Sequence, residues 1–244
     1  MNFQQVYTED YYRIRAYEDS NLWQHFALMA HAIQQHLGPQ VTLDVGCARG
    51  YFVQAMRACG IQSYGMDISS YALANCADGM RNYLRQADAN EGLPFFNESF
   101  DVVTCMECLE HLTNPRGAIA EMARVLRRSG YVVASSPRLS VWHWAFNLVF
   151  GQAEVHPSEL SLAEWRRLFA EQGFTYVGDY AVDWGIADEL RKMTVNRTYK
   201  MVPCTAVGRA MNRLGALGRW LRVWLNVKVW QSEHMLFRLE RRVV

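Results

Sequence analysis

Residues 43–52, LDVGCARGYF, run from an apolar stretch through a turn with two glycines into an aromatic pair. A strand that ends in a glycine-rich turn and opens a helix is where ligands settle in an open α/β sheet, because free backbone N–H groups and strand ends meet there. Gly46 and Gly50 lack a Cβ and let backbone approach a ligand closely. A dinucleotide turn needs glycines spaced G-x-G-x-x-G, and here Ala48 and Tyr51 occupy the second and third of those positions. Pyrophosphate is therefore disfavoured. Asp44 would repel a phosphate but suits an ammonium group, so the turn reads as a holder for a zwitterionic amino-acid tail.

Outward from this turn, short apolar runs alternate with helical patterns. Before it, Leu22, Phe26, Met29, Ile33 and Leu37 recur at helical spacing from Ser20 until Gly38-Pro39 stops them. After it come a helix from Tyr51 to Cys59, a strand SYGMD (63–67), a helix from Ser70 to Met80, and strands YLRQAD (83–88) and FDVVTCM (100–106). A helix follows that Asn114-Pro115 opens and Gly130 closes, then a strand YVVASS (131–136). Ser161 and Glu164 form a capping box for LAEWRRLFAEQ, and FTYVGDYAV and HMLFRLE supply the last two strands. Such alternation defines an α/β fold with a doubly wound, mostly parallel, seven-stranded Rossmann-like sheet. About 50 residues separate the last two strands where a hairpin needs a few, so a helical basic insertion precedes the final strand. The expected organisation is an N-terminal helical segment (1–39), a core (40–182), the insertion (183–232) and the closing strand (233–244).

Two further acids continue the pattern that Asp44 begins. Asp67 ends the second strand, where its carboxylate can accept from both hydroxyls of a ribose. Asp88 ends the third and can accept from an exocyclic adenine amine. Three acids at three successive strand ends suggest amino acid, ribose and adenine in that order.

In the order and spacing of LDVGCARG, YGMDIS, QADANEGLPF, FDVVTCMECLEHL and EMARVLRRSGYVVASSP, the chain resembles the class I S-adenosylmethionine-dependent methyltransferases over residues 40–182 and at the final strand. That resemblance implies that Gly46, Cys47 and Gly50 line the methionine end, Asp67 and Ile68 the ribose, and Asp88 and Ala89 the adenine, with Cys105 beside the methionine portion. Ala48 stands where family members commonly carry a third glycine.

The run MECLEHL puts Glu107, Glu110 and His111 at positions i, i+3 and i+4, which share a face of a helix. Two carboxylates and an imidazole can hold a divalent cation such as magnesium. The same stretch looks like the quinone-pathway O-methyltransferases, whose equivalent residues are implicated in metal-assisted methylation of a catechol-like ring. Without a metal, His111 is a candidate general base, as is His156 in the loop AEVHPSEL. The expected reaction is O-methylation of a small or lipid-linked hydroxyl-bearing acceptor. An N- or C-methyltransferase, and a catalytically silent cofactor-binding partner protein, are the alternatives.

The remaining features concern partners. Trp142, Trp144, Phe146 and Phe150 lie where related enzymes cover the substrate, and read as a lid, a pocket wall or plain core helix. Between Leu190 and Ser232 there are nine Lys or Arg and no acid, interleaved with Trp220, Trp224 and Trp230. That composition suits either peripheral contact with an anionic membrane or a solvated basic face. A net charge of +1 gives no global case for nucleic acid. Six cysteines without metal-type pairing, no apolar leader and no apolar run of about 18 residues point to a cytoplasmic protein, with the inner membrane face as its peripheral site.

Overall fold

A computed structural model describes residues 20–138, 156–190 and 232–240, together with Tyr7 and Glu9. The elements are α1 (Ser20–Leu37), β1 (Val41–Val45), α2 (Tyr51–Ala58), β2 (Gln62–Asp67), α3 (Ser70–Ala74), β3 (Leu84–Gln86), β4 (Phe100–Met106), α4 (Pro115–Val125), β5 (Leu126–Pro137), α5 (Leu162–Glu171), β6 (Phe174–Gly178), α6 (Tyr180–Asp183) and β7 (Ser232–Leu239). They build one seven-stranded sheet in the order β3-β2-β1-β4-β5-β7-β6. β7 runs antiparallel to both β5 and β6, and the other pairings are parallel. The order reverses direction at β1, where β2 and β4 flank it on either side, so the turn after β1 opens into the crevice at a topological switch point.

The central strands β1 and β4 are largely buried on both faces, which explains their mostly apolar runs. In β4, Val103 and Cys105 face the cluster around Ile119, Met122, Trp165 and Phe169. Val102 faces the cluster of α1 and α2, with Ile33, Phe52 and Met56. On the first face, Phe169 stacks on Phe237 of β7 at 3.9 Å. The expected capping box is formed: Ser161 Oγ accepts from the Glu164 N–H at 3.4 Å, and Glu164 Oε2 accepts from the Ser161 N–H at 2.8 Å. It starts the helix whose inner residues, Trp165 and Phe169, are fully buried. Ser161→Ala should cost about 1 kcal/mol and lower the melting temperature by roughly 2–4 °C, as read by calorimetry. An unchanged melting temperature would refute the box's contribution.

Three expected boundaries need correction. The helix from Ser70 stops at Ala74 rather than Met80, because Asn75 bonds its side-chain amide back to the Tyr71 carbonyl at 2.9 Å and the chain turns towards the glycine loop. There Ala77 N–H donates to the Arg49 carbonyl at 2.7 Å. α4 ends at Val125, not Gly130, and the strand begins at once with a bulge between Leu126 and Tyr131. Gly130 belongs to that bulge, where a Cβ would come within 2.9 Å of the Asp101 carbonyl oxygen. Finally, β6 stops at Gly178, because Asp179 caps a short helix by accepting from the Ala181 and Val182 N–H groups. The closing strand extends over Ser232–Leu239. The aromatic stretch 142–150 and nearly all of the basic insertion lie outside the described residues.

Candidate functional site

The turn after β1 is held by main-chain bonds to β2. Gly46 and Cys47 both donate to the Met66 carbonyl, at 2.9 and 3.0 Å, and Gly50 donates to the Cys47 carbonyl at 2.8 Å. Three of its residues have left-handed backbone: Gly46 (φ 79°), Ala48 (φ 48°) and Gly50 (φ 76°). For alanine that conformation costs about 1–2 kcal/mol, the structural consequence of the missing third glycine. The two glycines also make room within the protein itself. A Cβ on Gly46 would lie 2.5 Å from Cys108 Sγ, and one on Gly50 would lie 2.7 Å from Leu84 Cδ1. Their bare Cα atoms make room for neighbouring protein side chains and permit positive φ.

Asp67 organises this corner. Its Oδ2 accepts from the Ala48 N–H at 2.7 Å and its Oδ1 from the Ser69 N–H at 2.8 Å. Each oxygen keeps a second lone pair. Burial pushes the carboxyl pKa up against the pull of those two N–H groups. Ile68 follows it, half-buried, with its carbonyl accepting from Gln86. Asp44 is 5% exposed, and its Oδ1 accepts from Thr104 Oγ1 at 2.7 Å. Burial raises its pKa to about 7, opposed by the Thr104 bond and reinforced by the charge of Asp67. Burial likewise lifts the Cys47 thiol, which is no nucleophile at neutral pH.

At the third strand end, Asp88 Oδ1 accepts from both the main chain and side chain of Asn90, at 2.8 and 2.9 Å. Asn90 Oδ1 in turn accepts from Thr113 N–H, Thr113 Oγ1 and Asn114 N–H. Ala89 is buried between them. Neither Asn90 nor Thr104 was singled out from the sequence. An Asn two residues after an Asp is a turn signal that would have found the first.

Beyond β4 the chain turns sharply. Cys105 is fully buried, and its hydrogen bond with Cys108, then burial, raises its pKa. Glu107 has φ 49°, and its N–H donates to the Ser135 carbonyl and hydroxyl, both at 3.1 Å. A single 3-10 turn, Leu109–His111, follows. The i, i+3, i+4 argument assumes continuous helix, and the left-handed residue at 107 breaks it. The structure instead gathers Glu110, His111 and His156, with one ligand atom from each lying within 4.8 Å of the others, while Glu107 stands exposed outside that group. The two imidazole rings meet edge to face at 4.8 Å. His156 Nδ1 lies 3.1 Å from Glu159 Oε1, and Ser158 locks the loop by donating to the Glu110 and Leu112 carbonyls. Tyr7, also missed in the sequence, spans the site: its carbonyl accepts from Ser69 Oγ at 2.8 Å and its ring meets His111 edge-on at 6.0 Å.

This arrangement of strand ends has relatives. Residues 43–134 match a family model described as a methyltransferase domain. Those residues therefore form a methyltransferase domain, on the seven-stranded sheet described above. The chain is also similar to two curated proteins named ubiquinone biosynthesis O-methyltransferase. The one from Burkholderia vietnamiensis is 30% identical over 119 residues, covering 47% of this chain and 51% of that protein. The one from Idiomarina loihiensis is 33% identical over 112 residues, covering 44% and 46%. These matches thus span about half the length of the curated relatives. Among solved structures, a Haloferax volcanii methyltransferase bound to the activator Trm112 aligns with TM-score 0.63 at 17% identity, over 89% of this chain and 91% of that one. A Haemonchus contortus phosphoethanolamine N-methyltransferase bound to S-adenosylhomocysteine aligns with TM-score 0.60 at 18% identity, over 88% and 53%. At such identities the likeness is one of fold.

Proposed function

We propose that the protein is a methyltransferase that uses S-adenosylmethionine to methylate a hydroxyl of a small or lipid-linked acceptor, with a catechol-like ring as the leading class. The observation that carries the reading is the Asp67 cradle: a buried carboxylate fixed by two N–H groups, with a lone pair left on each oxygen for the two hydroxyls of a ribose. In this reading Asp44 meets the ammonium group, Gly46, Cys47 and Gly50 line the methionine end, Ile68 completes the ribose pocket, Asp88 and Ala89 meet the adenine, and Cys105 lies beside the methionine portion. The cofactor supplies an already activated methyl on a sulfonium, so the protein's task is chiefly alignment and exclusion of water. The hydroxyl reading draws support from the names of the curated relatives and from the His111–His156 pair. There one imidazole takes the acceptor's proton and the other, beside Glu159, orients it.

Isothermal calorimetry with S-adenosylhomocysteine, followed by transfer of labelled methyl to a panel of catechols, tests the whole. Binding with methylation is the expected result. No binding at millimolar ligand would overturn it, and binding without transfer to any extract component would leave the silent-partner reading.

A divalent cation is a refinement of this reading. Because His156 replaces Glu107 in the assembled group, two imidazoles and one carboxylate suit a zinc- or manganese-like ion better than magnesium. Turnover that persists in excess chelator would remove the ion from the mechanism. Peripheral contact of the basic segment 191–231 with anionic lipid is likewise proposed from composition. No helix among the described residues is long and apolar enough to cross a membrane. Flotation with anionic liposomes at low salt is the measurement, and protein left in the dense fraction would count against it.

A further inference from the structure

The far end of the sheet carries a second polar group that the cofactor reading does not use. β5 and β7 are antiparallel, so the end of one lies beside the start of the other: Ser135 pairs with His234 and Pro137 with Ser232. His234 shares its face with Leu236, in the cluster of α1 and Tyr180, whereas Leu109 and Leu112, which bracket His111, pack on the opposite face. Asp179 Oδ1 approaches His234 Nδ1 to 3.9 Å, too long for a hydrogen bond, while the same oxygen is fixed by the Ala181 N–H at 3.0 Å. The Tyr180 ring meets the imidazole edge to face at 5.2 Å, and its hydroxyl reaches Met106 Sδ at 3.6 Å. Met106 is the last residue of β4. The group therefore runs from β7 to the strand end beside the cofactor turn.

Two properties distinguish His234 from a satisfied core histidine. Its ring nitrogens make no hydrogen bond among the described residues, and its side chain, on the strand end that pairs with Ser135, is 25% exposed. Burial holds its pKa below the ordinary value, aided by Arg138 and opposed by the carboxylates of Asp179, Glu107 and Glu233. Beside it, an ion pair of 2.7 Å between Arg138 and Glu233 ties the end of β5 to the start of β7.

We propose that His234 is an acceptor-binding residue, whose imidazole takes a hydrogen bond from one oxygen of the methyl acceptor on the sheet face opposite His111 and His156. This rests on the methyltransferase reading above and narrows it. An acceptor engaged from both faces carries at least two oxygens, one methylated and one held.

The test uses the full chain as wild type, His234→Ala and His234→Gln, each saturated with S-adenosylhomocysteine, with 4-nitrocatechol as the spectroscopic probe. In His234→Ala, affinity for the probe should fall about tenfold, the worth of one hydrogen bond, and the glutamine variant should recover most of it. In turnover with catechols the loss should fall on KM more than on kcat. Affinity for S-adenosylhomocysteine, measured separately, should stay within about twofold, which separates failure here from failure of the cofactor reading. Unchanged probe affinity in His234→Ala would overturn the proposal. So would equal losses for probe and S-adenosylhomocysteine, or a wild-type protein that binds the latter but not the probe.

Discussion

Replacing Asp67 with alanine is expected to weaken S-adenosylhomocysteine binding by at least about 100-fold. Two hydrogen bonds from ribose hydroxyls to an ionised carboxylate are each worth about 1.5–3 kcal/mol, and together they correspond to factors of roughly 10² to 10⁴. A second loss adds to this one. The same carboxylate holds the N–H groups of Ala48 and Ser69, so its removal releases the turn that the methionine end must meet. Ala48 feels this most, since its left-handed backbone persists only while its surroundings impose it. Asp67→Asn separates the two contributions. One carbonyl oxygen remains to accept, but the amide end faces an N–H group, so an intermediate loss is expected. Calorimetry gives the affinities and a thermal melt shows whether the fold survives. An Asp67→Ala protein that stays folded and binds within threefold of wild type would sink the assignment of Asp67 to the ribose.

What the sequence disclosed and what it hid divide along one physical line. β4 was legible to the residue because it is a largely buried, mostly apolar run bounded by polar positions. The capping box at Ser161 was legible because its two partners are three residues apart. Helix ends were misjudged where a side chain or a bulge ended the helix early, as at Asn75 and Leu126. The placing of Asp44, Asp67 and Asp88 at or near strand ends was legible from the short runs before them. Contacts between residues far apart in the chain were hidden. Thr104 reaches Asp44 across 60 positions, and Tyr7 reaches Ser69 across 62. His156 displaces Glu107 from the Glu110–His111 group because a single left-handed residue redirected the chain. His234 drew no attention in the sequence, since a histidine inside an apolar strand carries no local sign of what its neighbours will be.

S-adenosylhomocysteine affinity should fall about tenfold for each pH unit below 7 and level off above it, and Asp44 is the reason. Its carboxyl titrates at about 7 in the folded protein against 3.8 for the unperturbed group, because burial penalises the charge more than the Thr104 hydroxyl relieves it. The folded state thus binds this proton more tightly than the unfolded chain. The stability it contributes is fully present below pH 3.8 and is lost as the pH rises towards 7. Binding shifts the balance the other way. A ligand ammonium beside Asp44 favours the carboxylate, so binding below pH 7 must expel the proton, and each unit of acidity costs a factor of about ten. From pH 7, where the carboxyl is half ionised, to pH 5 the expected loss is about 50-fold, accompanied by proton release that calorimetry detects in buffers of differing ionisation enthalpy. The variant Asp44→Asn isolates this group and is the decisive comparison. Its side chain mimics the protonated acid and cannot ionise. Wild type and variant should therefore bind alike at pH 5 and diverge towards pH 8, where only the wild type gains. A wild-type affinity that is flat from pH 5 to 8, or a slope that survives in Asp44→Asn, would take Asp44 out of contact with the ammonium group.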